Sequence, residues 1–396
     1  MGVMGLYDSI VVGGGPAGGT AARDLAQRGH RVLLLESKTI PRDKPCAGAV
    51  AAKALPFLGK GFAGQVLEEL KRAVFVLNMR RPVTSATMEP FAYMVARSSF
   101  DAWLVGEAEQ AGAHVHTCEP VEGIETAAGE VVVRTGTATY RGKYLVGTDG
   151  ANGVTARLTG LAGKIPRGAS LEMEIPLPAA QMARFRGAAL VDYAYLPWGY
   201  AWAFAKGERL SVGVGSFAAG VRHRKIDLHK YLQKFLGQLW PGAGEGARAV
   251  GHPIPLGGHR CQVVGERVLL AGDAAGFADP FYGEGIYYAL KSGSMAAAAV
   301  ADSLTGGYGL SGYQRRTDEE IIGPLHTASR VARLFYTWPS FAHRVLVENG
   351  PGAEWFLRVV NGKESYQAFY HWAFRQLFRT GKVRPCAKEE MPSAEG

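Results

Sequence analysis

The stretch Pro41-Arg-Asp-Lys-Pro-Cys-Ala-Gly-Ala-Val50 sets a lone thiol, Cys46, in a loop with Pro41, Pro45 and Gly48, and Lys44 just before it. The prolines restrict their own backbone and that of the preceding residues. Gly48 permits close approach to another group. A thiol held beside a positive charge suits a redox-sensitive or substrate-positioning role, but a free cysteine also packs as a small hydrophobe. Upstream, Gly13, Gly15 and Gly18, with Pro16 and Ala17 among them, form G-x-G-x-x-G. Such glycines let backbone N–H groups reach a pyrophosphate at a helix N-terminus. Downstream, Tyr200, Trp202 and Phe204 alternate, so a strand would present all three on one face. That face is either an aromatic pocket wall or an ordinary sheet core.

The elements around these residues are legible. Leu6 to Val12 reads as a buried parallel strand. A helix follows the glycines, with Ala17, Ala21, Ala22, Leu25 and Ala26 inward and Arg23, Asp24, Gln27 and Arg28 outward. Gly29 stops it. Arg31 to Leu35 is the next strand, and Glu36 at its end is placed to bind ribose hydroxyls. A second strand-turn, Glu266 to Ala271 then Gly272-Asp273-Ala274-Ala275-Gly276, precedes Pro280-Phe-Tyr-Gly-Glu-Gly-Ile286 (including Gly283 and Gly285) and a long helix to about Leu304. The N-terminus of that helix would favour negative charge. Two further pieces are Tyr144-Leu-Val-Gly-Thr-Asp149-Gly150 and Arg97-Ser-Ser-Phe-Asp101 with Leu104.

Taken together, these separated segments resemble the FAD-binding proteins of the p-hydroxybenzoate hydroxylase superfamily. Within it, Pro41, Lys44, Cys46 and Gly48 resemble the P-x-x-K-x-C-x-G of the geranylgeranyl reductase family, and Gly199 to Phe204 resembles its Y-x-W-x-F-P. Ala205 stands where that family usually has proline, so a looser turn after Phe204 is expected. The resemblance spans roughly residues 6 to 300. It implies FAD as cofactor, held by Gly13, Gly15, Pro16, Ala17, Gly18, Glu36, Lys44, Cys46, Ala47, Gly48, Arg97, Val121, Asp149, Gly272, Asp273, Pro280, Gly283, Gly285 and Ile286. It implies catalytic or pocket roles for Cys46, Tyr200, Trp202 and Phe204.

The expected fold is α/β: a Rossmann-like FAD-binding domain (residues 1–58, 95–160 and 262–305) interleaved with an antiparallel β-sheet substrate domain (59–94 and 161–261). A C-terminal helical region (306–396) follows, its tail after Arg384 disordered. Arg333 to Trp338, Trp355 to Arg358 and Phe369 to Arg375 mix aromatic with basic residues. Such a mixture fits a membrane interface or a helical cap that buries its rings.

The chain has 396 residues, 47% hydrophobic, enough for a large core. Its net charge of +9 favours anionic partners, but the basic residues are scattered and no nucleic-acid motif appears. Cys46, Cys118, Cys261 and Cys386 show neither paired metal spacing nor a disulfide framework. No secretory leader or membrane-spanning run is evident, so a cytoplasmic location is expected, with peripheral contact at the inner membrane face as an option.

The resemblance implies reduction of isolated C=C bonds in a prenyl chain. An unactivated alkene accepts hydride poorly, so protonation to a tertiary cation with hydride delivery from flavin is the expected order, in an oily pocket closed to water. Aromatic faces stabilise such charge. Tyr200 or an ordered water is the candidate proton donor. No second dinucleotide fingerprint exists, since Gly242-Ala-Gly-Glu-Gly246 lacks the spacing; NADPH or reduced ferredoxin would supply electrons. Two alternatives share the fold: a flavin monooxygenase or halogenase, and a quinone-linked electron-transfer flavoprotein. The dispersed cysteines offer the latter no cluster site.

Overall fold

A computed structural model describes residues 5–127, 129–217, 226–239, 246–307 and 309–379. Most of the Gly242 to Gly246 stretch, Cys386 and the tail after Arg384 lie outside the described residues. The strands are β1 (Tyr7–Val12), β2 (Val32–Leu35), β3 (Ala49–Ala51), β4 (Val66–Leu70), β5 (Arg72–Leu77), β6 (Arg80–Ala86), β7 (Ala92–Val95), β8 (His114–His116), β9 (Val121–Ala127), β10 (Glu130–Thr135), β11 (Thr139–Gly147), β12 (Arg167–Pro176), β13 (Ala188–Asp192), β14 (Gly199–Lys206), β15 (Arg209–Ser216), β16 (Val250–Pro255) and β17 (Val268–Leu270). The main helices are α1 (Pro16–Ala26), α2 (Arg97–Gln110), α3 (Leu228–Leu239), α4 (Ile286–Leu304), α5 (Leu310–Thr317), α6 (Gly323–Thr337), α7 (Gly352–Val360) and α8 (Tyr366–Arg379).

The first sheet runs β8-β2-β1-β11-β10-β9, with β17 also beside β11. Strands β8, β2, β1, β11 and β17 are parallel, and β9 and β10 add an antiparallel meander. Val12 is in register with both Leu35 and Gly147, and Gly147 with Leu270. Four loops therefore leave the sheet at one edge, where open parallel sheets bind their ligands. Helix α1 packs its alanine face on this sheet as expected, with one difference. Arg23 is buried rather than outward, because the chain after β3 folds over it and the Phe57 carbonyl accepts its guanidinium at 3.1 Å.

The second sheet runs β16-β12-β15-β14-β13-β5-β6. It is antiparallel except at β13 and β5, which pair in parallel. Along β14 and β15 the side chains alternate between its two faces. Ala201, Ala203, Ala205, Leu210, Val212 and Val214 face α3, whose Leu232, Phe235 and Leu236 are buried against them. The opposite face carries Tyr200, Trp202 and Phe204, and lies under the C-terminal helices. Those helices bury Phe335, Tyr336, Leu357 and Phe369 in the same core as Phe75 and Tyr193. The C-terminal segment is thus a cap over the second sheet, although Trp338 remains 60% exposed. The three-stranded sheet β3-β7-β4 joins the two halves. After Phe204 no looser turn occurs: β14 continues through Ala205 to Lys206, and Gly207 at φ +62 makes the hairpin. Among the described residues no helix is long and apolar enough to cross a membrane.

Candidate active site

At the sheet edge the glycines are sterically required. A Cβ on Gly18 would collide with the Gly13 carbonyl oxygen, and one on Gly13 would lie 2.7 Å from the Thr148 oxygen. Those two glycines let α1 sit directly on the end of β1. Gly15 differs: the nearest atom to its Cβ position is an Arg42 nitrogen 3.8 Å away, so open space lies before α1. Pro16 begins the helix, and no side chain caps it. An uncapped helix N-terminus facing a cleft favours a phosphate group.

Glu36 stands beside this space. Its carboxylate accepts the Gly14 N–H at 2.8 Å and the Lys38 N–H at 3.0 Å, and pairs with Arg42 at 3.1 Å. Burial raises its pKa, but the Arg42 charge and these hydrogen bonds outweigh burial and hold it below the usual carboxylate range. Arg42 also reaches Asp101 at 2.9 Å, and Asp101 holds Arg97 through two bonds of 2.9 Å. Arg42 is a residue that sequence reasoning missed. It lies inside the stretch singled out for its cysteine, but a lone arginine in a loop has no spacing signature.

The cysteine loop closes one end of a large cavity. Gly48 takes φ +83, and a Cβ there would strike the Val95 carbonyl. Lys44 pairs with Asp273 at 3.6 Å. The Arg97 guanidinium is buried; burial opposes its charge, but the Asp101 carboxylate beside it keeps it charged. The cavity has a volume of about 250 Å³. It runs from Gly15 and the cysteine loop to the C-terminal helices, lined there by Phe335, Tyr336, Phe356 and Phe369.

The aromatic strand forms one wall. The ring centroids of Tyr200 and Trp202 are 5.8 Å apart, and those of Trp202 and Phe204 are 6.4 Å apart. Trp202 Nε1 donates to Ser211 Oγ at 3.3 Å. The Tyr200 hydroxyl donates to the Tyr282 carbonyl, and burial holds it far above the usual phenol range. A hydroxyl so committed is a poor proton donor.

The structure brings Gly15, Pro16, Ala17, Lys44, Cys46, Ala47, Gly48, Arg97, Tyr200, Trp202, Phe204, Asp273, Gly283, Gly285 and Ile286 to this one cavity. Gly13, Gly18 and Gly272 instead permit close packing: Gly272, at φ +61, has its Cβ position 3.1 Å from Ala17 Cβ. Asp149 does not line the cavity. One of its oxygens accepts the Val154 and Thr155 N–H groups and the Thr155 hydroxyl, while its neighbours Thr148 and Gly150 line the wall. Pro280 does not line the cavity either, and Val121 is buried in the first sheet's core.

This arrangement fits FAD. The open space before α1 would accept a pyrophosphate, Glu36 and Arg42 beside it could hold the adenosine ribose, and Gly283 and Gly285 bring the start of α4 to the cavity with no bulk in the way. Residues 7–196 match the model of the FAD binding domain family. The chain is 30% identical over 351 residues to digeranylgeranylglycerophospholipid reductase 1 of Methanopyrus kandleri, covering 83% of this chain and 90% of that protein. It is 34% identical over 317 residues to the geranylgeranyl diphosphate reductase of Rhodobacter capsulatus, covering 76% of each. Among solved structures, a geranylgeranyl bacteriochlorophyll reductase-like protein of Thermoplasma acidophilum superposes with a TM-score of 0.72 at 24% identity, over 83% of this chain and 87% of that one. The protein is therefore an FAD-dependent oxidoreductase that belongs to the geranylgeranyl reductase family.

Proposed function

We propose that the protein hydrogenates C=C bonds of a geranylgeranyl or other polyprenyl chain, carried as a diphosphate, a lipid, a quinone or a chlorophyll-type ester. The observation that carries this reading is the cavity: one end has Cys46, Lys44 and Arg97, and a mainly aromatic and aliphatic stretch reaches under the C-terminal helices. A hydrophobic chain of isoprene units matches such a stretch. Reduced FAD, when bound, supplies the hydride equivalent. The chain's own residues do the rest. Gly15 and α1 bind the pyrophosphate, and Glu36 and Arg42 the adenosine ribose. The Cys46 loop sets how far the substrate advances. Tyr200, Trp202 and Phe204 exclude water and face developing positive charge with their rings.

NADPH or reduced ferredoxin is the proposed electron donor; the net charge of +9 suits either anionic partner. We place the protein in the cytoplasm. Exposed Trp338 on the cap offers a peripheral contact with the inner membrane face, from which a lipid substrate would enter. The test is anaerobic incubation of dithionite-reduced protein with geranylgeranyl diphosphate, followed by mass spectrometry. The expected product gains one H2 per double bond reduced. No gain in mass, with hydroxylated product in a parallel aerobic incubation, would replace this reading with a monooxygenase.

A further inference from the structure

Glu172 lines the cavity from β12. Sheet register places it opposite Gly213, and Gly213 opposite Trp202. Because Gly213 has no side chain, the Trp202 indole lies over its Cα, with Cη2 2.5 Å and Cε2 2.7 Å from where a Cβ would be. The carboxyl thus shares one row of the sheet with the aromatic wall. One row further on, Glu174 shares its face and pairs with Lys206. The Lys206 side chain is only 4% exposed, that of Glu174 41%. Lys206 also reaches the cysteine loop, its Nζ 3.2 Å from the Cβ position of Gly48. A line of ionisable groups therefore runs from solvent at Glu174, through buried Lys206, to a carboxyl inside the oily cavity.

The charged and polar groups that act on this carboxyl are Lys206 on β14, the Cys46 N–H of the loop, Glu174 on its own strand and Arg97 on α2. Burial pushes the Glu172 carboxyl up to about 7, with Lys206 and the Cys46 N–H pulling the other way. His252 on β16 lines the same cavity; burial and nearby Lys44 hold it below the usual imidazole range, so it stays neutral. The other cavity acids are committed: Asp273 pairs with Lys44, and Glu284 with Lys53. Among the described residues, Glu172 forms no ion pair at that range.

We propose that Glu172 is the acid that protonates the substrate double bond, an assignment that rests on the reductase reading above. Its O–H bond breaks as a C–H bond forms at the less substituted alkene carbon, using the π electron pair. The more substituted carbon, left electron-deficient, takes a hydride with its two electrons from reduced FAD, the reductant. The substrate gains H2 in total. Glu172 is left as a carboxylate and takes its next proton from solvent.

The test compares wild type with Glu172→Gln and Glu172→Asp, each dithionite-reduced and given geranylgeranyl diphosphate. Glu172→Gln should lose on the order of 10²–10⁴ in rate, with FAD retention unchanged and no fall in urea midpoint, and Glu172→Asp should recover part of the loss. Infrared titration of the oxidised proteins gives a readout that needs no turnover: wild type should show a carboxyl titrating near pH 7, missing from Glu172→Gln. Glu172→Gln turning over like wild type, or an identical infrared titration, overturns the assignment while the reductase reading stands. If Glu172→Gln fails to fold, a Glu172→Asp enzyme with wild-type pH dependence and no shift in the band overturns it equally. Wild type that adds no H2 sinks the reductase reading and this assignment with it.

Discussion

Alanine at Gly213 probes the packing on which the aromatic wall depends. Its methyl group would lie 2.5 Å from Trp202 Cη2 and 2.7 Å from Cε2, well inside van der Waals contact. Gly213 is hydrogen-bonded between β12 and β14, so the strand cannot retreat and the indole must swing into the cavity. That movement breaks the 3.3 Å bond from Nε1 to Ser211, a loss of about 1 kcal/mol. It also takes Trp202 off its rotamer, costing about 0.5–1.5 kcal/mol. Against this, alanine gains about 0.5–1 kcal/mol over glycine within a strand. The net cost is about 1 kcal/mol, rising towards about 3 kcal/mol if the indole cannot leave.

Gly215 is the control. It lies two residues along the same strand on the same face, but its Cβ position has nothing closer than 3.6 Å. Gly215→Ala should therefore be neutral, or stabilising by about 0.5 kcal/mol. Urea unfolding separates the two variants, and acrylamide quenching should show a newly accessible tryptophan only in Gly213→Ala. Equal midpoints for both variants would refute the placement of the indole over Gly213.

Three other outcomes follow from the site. Glu36→Gln should weaken FAD retention, read by ultrafiltration. Because the Glu36 pKa is held below its ordinary 4.5, its stabilising effect is present above that value and lost as pH falls; the variant's urea midpoint should thus fall less on acidification. Asp279, which accepts the Tyr366 hydroxyl at 2.8 Å, is pushed by burial up to about 6. A raised carboxyl stabilises below its ordinary 3.8 and loses that effect as pH rises through about 6, so Asp279→Asn should flatten the urea midpoint across that window. Cys46→Ser should change turnover or the pattern of saturated products while the thermal midpoint stays close to wild type; a change in stability alone would make the thiol a packing residue.

What the sequence shows and what it hides divide by the range of the interaction. The glycine fingerprint is legible because Gly13, Gly15 and Gly18 sit in one short turn between β1 and α1, and such a turn leaves a spacing. The face of β14 is legible for the same reason. Glu172 and Glu174 are not, because they alternate with Leu171, Met173 and Ile175 and so read as the solvent side of an ordinary amphipathic strand. Only the register with β15 and the C-terminal cap show that this side is partly enclosed. Arg23 misleads likewise: the helical period places it outward, and the distant Phe57 backbone covers it. The aromatic C-terminal segments left membrane and core equally open, since periodicity tells which face is apolar but not what lies against it.

The wall is rich in tyrosine, and free hydroxyls would be poor company for a carbocation, since an oxygen lone pair would trap it. In the proposed reaction, the hydrogen bonds of these tyrosines would ease that conflict by aiming their oxygens at other partners. Tyr200 donates to the Tyr282 carbonyl and Tyr336 to the Phe281 carbonyl, both in the loop that leads into α4. Tyr282 accepts Lys53 at 2.9 Å, and Tyr193 is bonded to buried His343. Each bond aims an oxygen at a fixed partner and leaves the ring to line the tunnel. The same bonds tie the sheet, the α4 loop and the cap together, so the elements that exclude water are also those that pin the oxygens. A surface polar by composition can thus act as a π surface, provided that every hydroxyl on it has somewhere else to point.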